Sequence, residues 1–264
     1  MRGTAVSFCV FLFAFVAVLS AQQVASSLDL TATTLPPGFV PDDAQALFNQ
    51  LSPAKKDEFE TTAQYEARVG KPQLKPVYAF SVDLVDGSAH HARAGGTAKY
   101  DADAQEFTAS LYPDLTLFQE FRSDMSARSL TLKSLTTSKR DYEGHNAYGA
   151  SVTVHEENED IYGIVIPIAA RASDLKLDLS LSFKVPPDEA KEAKPNLALL
   201  VIASPPQDGG PLVSTGKWVV TATINNPYSS QDNYYYLRLQ PKSVWAYNRK
   251  TGKVYAKFDN AFKR

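Results

Sequence analysis

Eight aromatic side chains, Trp218, Tyr228, Tyr234, Tyr235, Tyr236, Trp245, Tyr247 and Tyr255, crowd into 38 residues near the C-terminal end of the chain. Consecutive tyrosines on a strand alternate between its faces, so at least one of Tyr234, Tyr235 and Tyr236 must turn its ring away from a core on the other side. Exposed flat rings stack on sugars or on apolar partner surfaces. Basic residues lie among them: Arg238, Lys242, Arg249, Lys250, Lys253, Lys257, Lys263 and Arg264, against only Asp232 and Asp259. Tyr234, Tyr235, Tyr236, Trp245, Tyr247, Arg249 and Lys250 are therefore the candidate ligand-binding residues. An anionic glycan or an envelope protein is the partner such a surface suits. The competing account is plain packing, because Tyr and Trp are common strand residues and lysines guard strand edges.

Other chemistries are weaker. Ser52-Pro53-Ala54-Lys55 and Lys250-Thr251-Gly252 match the S-x-x-K and K-T-G of penicillin-recognising serine enzymes, where the serine is the nucleophile and the lysine helps deprotonate it. Only twelve residues follow Gly252, too few for the closing strand and helix of that fold, and 248–253 reads as a hairpin turn. His90 and His91 are adjacent, so on an extended strand they point to opposite faces, and His145 and His155 are isolated. Asp101 and Asp103 begin like a calcium loop, but no glycine stands at the sixth place and Tyr112 occupies the twelfth. Glu156, Glu157, Glu159 and Asp160 read as a solvated turn between two strands. With 29 acidic residues, a glycosidase-like carboxylate pair can always be imagined, so the sequence does not discriminate. No catalytic residue, metal ligand or cofactor is assigned on these grounds.

The elements that must position these residues begin with a leader. Arg2, an apolar run from Ala5 to Leu19 and the small pair Ser20-Ala21 have the layout of a secretory signal peptide over residues 1–21. The single cysteine, Cys9, lies within it, so the mature chain is expected to have no thiol, no disulfide and no membrane span. A net charge of −2 gives no global basic excess and argues against nucleic acid. Residues 22–40, rich in Ser and Thr and carrying Leu35-Pro36-Pro37-Gly38, read as an extended linker. Residues 41–73 read as a short helical pair. Asp42 or Asp43 caps the first helix, which ends at Ser52-Pro53; Thr61 or Thr62 caps the second, which Gly70 stops.

From 74 to 264 the hydrophobic period falls to two. Tyr78, Phe80, Val82 and Leu84 form one strand, and Leu175, Leu177, Leu179, Leu181 and Phe183 another. Trp218 to Ile224 and Val254 to Phe258 add two more, with weaker candidates at 107–111, 130–135, 148–154 and 245–247. Ile161 to Ala170 and Leu197 to Ala203 are apolar at nearly every position, as strands covered on both faces would be. Pro186 to Pro195, with Asp188 and Glu189 early and Lys194 late, reads as a crossover helix. The fold class predicted is mainly β (α+β): an antiparallel β-sandwich or strongly curved sheet with a short N-terminal helical pair and one crossover helix. A subdivision of the β-region near 186 is left open. A membrane β-barrel fits poorly, since several strands carry charge on both faces.

Phe59-Glu60-Thr61-Thr62-Ala63-Gln64-Tyr65-Glu66-Ala67-Arg68 resembles a segment that recurs before β-rich regions in exported bacterial proteins of unassigned function, and Tyr100-Asp101-Ala102-Asp103 has the same flavour. The resemblance covers about a tenth of the chain. It implies a bacterial exported protein and carries over no catalytic residue. On physical grounds the segment is a capped helix whose Phe59, Ala63 and Tyr65 are expected to dock on the sheet. The resulting expectation is a soluble periplasmic or extracellular protein with a non-catalytic binding or structural role. The alternative is a hydrolase of envelope glycans or peptides.

Overall fold

The structure, a computed structural model, describes residues 28–70, 72–86, 96–111, 114–117, 126–167, 179–207 and 209–262. The leader expected over 1–21, Cys9, His90, His91, Leu175, Leu177, Lys263 and Arg264 lie outside the described residues.

The fold is mainly β, as expected, and is built on two sheets. The first holds β1 (Tyr78–Asp86), β2 (Gly96–Asp101), β3 (Glu106–Leu111), β7 (Leu179–Lys184), β8 (Leu197–Ser204), β11 (Gln240–Asn248) and β12 (Val254–Asp259). Their order is β12-β11-β8-β1-β2-β3-β7. This sheet curves until its two edges meet: Phe183 of β7 stacks on Tyr255 of β12 at 6.1 Å and meets Phe258 edge-on at 6.5 Å. The second sheet holds β4 (Asp114–Leu117), β5 (Ser126–His145), β6 (Ser151–Pro167), β9 (Val213–Val220) and β10 (Tyr228–Arg238), in the order β4-β5-β6-β10-β9.

Alternation explains which side chains fill the core. Tyr78, Phe80 and Val82 of β1, and Leu179, Leu181 and Phe183 of β7, are buried on one face. Every residue of β8 from Leu197 to Ala203 is buried. Leu197, Leu199 and Val201 enter the main core, whereas Ala198, Leu200 and Ile202 enter a second cluster on the opposite face. The main core draws on residues from both sides of position 186, including Phe107, Leu130, Leu199, Leu237 and Val244, without a break there. The crossover helix α3 (Pro187–Ala193) follows β7 as predicted, with Asp188 and Glu189 in its first turn and Ala190 and Ala193 buried.

Three expectations need correction. Two strand pairs, β1 with β2 and β6 with β10, are parallel, because alternation reports side-chain faces and not chain direction. The acidic run Glu156 to Asp160 lies inside β6, and the turn falls at 146–150 instead. The carboxylates are accommodated by cross-strand partners: Arg140 pairs with Glu156, Lys139 with Glu157, and Asn233 donates to Asp160. The strand expected to reach Ile224 stops at Val220.

The two N-terminal helices behave differently. Asp43 caps α1 (Ala44–Leu51) by accepting from the Ala46 amide at 2.8 Å, and Ala44, Leu47, Phe48 and Leu51 form its buried stripe. Helix α2 (Thr62–Val69) has the capping box of Thr61 and Gln64 but buries no residue, and Phe59 is 88% exposed. The expected docking of Phe59, Ala63 and Tyr65 is thus corrected: Ala63, Tyr65, Ala67 and Val69 stand two residues apart, which divides them between opposite faces of the helix and leaves no single stripe to hold it against a sheet.

Candidate functional site

Residues 28–40, read as part of a linker, form with Pro41 a strap over the outer face of β8 and β11. Leu35 is 3% exposed and belongs to the second apolar cluster with Ala79, Leu200, Ile202, Trp245 and Tyr247. Backbone hydrogen bonds fasten the strap to the β11–β12 hairpin: the Leu35 amide donates to Gly252 O at 2.8 Å, and the Val254 amide donates to Thr33 O at 3.0 Å. Lys257 Nζ donates to Leu30 O at 2.7 Å. At the far end, the Asp42 amide donates to Ala79 O, and the Ala79 amide returns a bond to Asp42 Oδ2 at 2.9 Å.

Between these fastenings Pro36, Pro37 and Gly38 arch away from the sheet, with Gly38 at φ 75°. A cleft of about 710 Å³ opens beneath them. Leu35, Phe39 and Tyr247 give it an apolar lining, and Ser81, Asp83, Arg249 and Lys250 supply the polar groups. That volume falls within the range in which small-ligand pockets occur.

The polar groups are partly pre-positioned. Tyr247 donates its hydroxyl proton to Ser81 Oγ at 2.8 Å. Burial raises the Tyr247 pKa, so the phenol keeps its proton at neutral pH and remains a donor. Arg249 Nη1 donates to Asp83 Oδ1 at 2.6 Å, and both side chains are substantially exposed. The backbone amides of Lys250 and Thr251 donate to Asn248 Oδ1, which fixes the turn that presents Lys250. The Lys250 ammonium has no side-chain partner among the described residues. Two cations against one carboxylate leave the cleft electropositive.

The seven residues singled out in the sequence therefore separate. Tyr247, Arg249 and Lys250 share the cleft. Trp245 is 1% exposed, donates Nε1–H to Ser243 Oγ and lies beneath the Lys257 ammonium, which stands 4.1 Å from the ring centroid. Tyr235 faces α1, stacked on Tyr162 at 4.8 Å with Phe48 edge-on at 5.2 Å. Tyr234 and Tyr236 stack on each other at 5.7 Å on the other face of β10, and Tyr236 is buried. The candidate residues thus do not form one surface, and their rings lie in three separate packing environments. Ser81, Asp83 and Phe39 belong to the cleft but carried no sequence signal beyond their places on a strand and in a proline-rich segment.

The remaining chemistry-bearing residues are placed as follows. Ser52 closes α1, and its hydroxyl donates to Phe48 O at 2.7 Å, the geometry of a helix C-cap rather than of a nucleophile. Asp101 accepts from the Ala104 amide in the tight turn between β2 and β3. His155 Nδ1 lies 2.8 Å from Asp141 on the exposed β5–β6 ribbon. Among the described residues, no three His, Cys, Asp or Glu side chains stand close enough to share a metal ion. A second cleft of about 440 Å³ lies beside α3 and contains Glu189 and Glu192. Both carboxylates leave the same helix three residues apart, and Glu189 is paired with Lys253, so they do not flank a substrate as glycoside hydrolysis requires. No described helix is long and apolar enough to cross a membrane. Comparison with protein-family models, with curated proteins and with solved structures returns no match for this chain.

Proposed function

We propose that the protein is a non-catalytic binding component of the bacterial periplasm or cell envelope, exported through the leader expected over 1–21, and that the strap cleft takes an acidic glycan. The observation that carries this reading is the convergence of Tyr247, Arg249 and Lys250 on one cleft with an apolar lining. A uronic acid residue has an apolar face of ring C–H groups and a carboxylate at its edge. The face suits Phe39, the half-buried ring of the lining, over the floor that Tyr247 and Leu35 make, and the carboxylate suits Lys250 and Arg249. Hydrogen bonds to charged groups are each worth about 1.5–3 kcal/mol, so two of them give weak but selective binding.

Titration calorimetry of the purified mature chain with a galacturonic acid hexamer, against maltohexaose as the neutral control, tests this reading. The acidic hexamer alone is expected to bind, and the Arg249→Ala, Lys250→Ala double variant should lose at least about tenfold in affinity. Equal binding of both sugars, or an unaffected double variant, would remove the proposal.

A further inference from the structure

Among the described residues, no strand pairs with the outer edge of the second sheet's last strand. Strand β9 pairs with β10 on one side and is outermost among the described strands. Five consecutive residues, Thr215 to Val219, are exposed; Trp218 is 62% and Val219 56% exposed. Natural edge strands are kept short, charged, bulged or broken by proline, because their unpaired N–H and C=O groups recruit another strand. The edges of the curved sheet cover each other at Phe183 and Tyr255. Strand β9 instead runs for eight residues with one charge, Lys217, and no proline.

We propose that β9 is a self-association edge: two copies of this chain pair antiparallel through β9 about a two-fold axis at Trp218, joining their five-stranded sheets into one. The sequence of the strand is complementary to itself in that register. Trp218 falls opposite Trp218, Lys217 opposite Val219, and Gly216 opposite Val220. Directly opposed large aromatic rings stabilise antiparallel pairs, whereas an axis at Lys217 would set two ammonium groups against each other. Gly216 shares the Trp218 face of the strand, two residues away. Across the axis it becomes the diagonal neighbour of the other indole, and its missing side chain leaves that ring room to lie over the backbone. No unrelated peptide is required to have this pattern; a second copy has it by construction.

Analytical ultracentrifugation of the mature chain between roughly 1 µM and roughly 100 µM tests the proposal. The sedimenting mass is expected to rise toward twice the chain mass across that range. Trp218→Lys should hold the protein monomeric throughout, with an unchanged circular dichroism spectrum and, at the lowest concentration where wild type is also monomeric, an unchanged melting temperature that shows the fold intact. Register is tested separately by mild oxidation. Trp218→Cys should give a disulfide-linked dimer, whereas Thr215→Cys should not, because two Thr215 positions would stand about 20 Å apart along the strands. A wild-type monomer at every concentration, a dimer that survives Trp218→Lys, or cross-linking at 215 in preference to 218 would each overturn it.

Discussion

Leu35 and Gly252 approach each other at a spacing that only glycine permits. The Leu35 amide donates to Gly252 O at 2.8 Å, Gly252 has φ 74°, and a β-carbon added there would stand 2.9 Å from Leu35 O. This contact seats the strap on the β11–β12 turn and so sets one wall of the cleft. Gly252→Ala must both strain the turn and push the strap outward. A destabilisation of about 1–3 kcal/mol is expected in urea unfolding, together with faster amide exchange at Leu35. An unchanged exchange rate at Leu35 would mean that the strap is held elsewhere.

Asp83 competes for the guanidinium that the proposed ligand needs. An exposed ion pair of this kind is worth about 1 kcal/mol or less, so a ligand carboxylate that also reaches Lys250 can replace it. Asp83→Asn should therefore tighten binding of the galacturonic acid hexamer by up to about fivefold in calorimetry. Weaker binding would instead show that Asp83 holds Arg249 in its productive position.

The two tryptophans should differ sharply in their contribution to stability. Trp245 is fully buried in the second apolar cluster, and Trp245→Ala is expected to cost about 3–5 kcal/mol. Trp218 lies on the open edge, and Trp218→Ala should change the stability of the dilute monomer by no more than about 0.5 kcal/mol. Chemical denaturation of both variants at low concentration provides the comparison, and similar losses would contradict the burial pattern.

Asp43 joins α1 to β5, capping the helix and accepting from Lys133 at 2.9 Å. The Lys133 hydrogen bond, followed by that from the Ala46 amide, holds its pKa below the ordinary carboxylate value. A depressed carboxylate pKa means that its stabilisation is present above the unfolded value and disappears as the pH falls through the folded one. Wild type should thus exceed Asp43→Ala in urea midpoint at about pH 6, with the gap closing toward about pH 2. A gap that widens in acid would show that the ionised form is not the stabilising one.

Much of the scaffold was legible because its strands are amphipathic or wholly apolar. Strands β1, β7 and β8 follow directly from their residue patterns, as does α3 from Pro187, Asp188 and Glu189. The ends of the β5–β6 ribbon were read at 130–135, 148–154 and from Ile161, but its middle was not, since Thr136 to Glu143 and Glu156 to Asp160 are largely polar and have no period to read. Its order comes from partners such as Arg140 and Glu156, which are neighbours only after the strands pair. The cleft divides in the same way. Tyr247, Arg249 and Lys250 are clustered in sequence, but Ser81 and Asp83 reach Tyr247 and Arg249 across 166 residues, because β8 places β1 and β11 on either side of itself. Leu35-Pro36-Pro37-Gly38 announces a bend, and nothing in those four residues says that the segment lies over a sheet.

The location of ligand contact is the most direct test of the account. Amide chemical shifts of the mature chain, recorded during titration with the galacturonic acid hexamer, should move at Leu35, Phe39, Ser81, Tyr247, Arg249 and Lys250 and return when salt screens the carboxylates. Shifts confined to Tyr234, Tyr235 and Tyr236 on β10, or none at millimolar sugar, would contradict it.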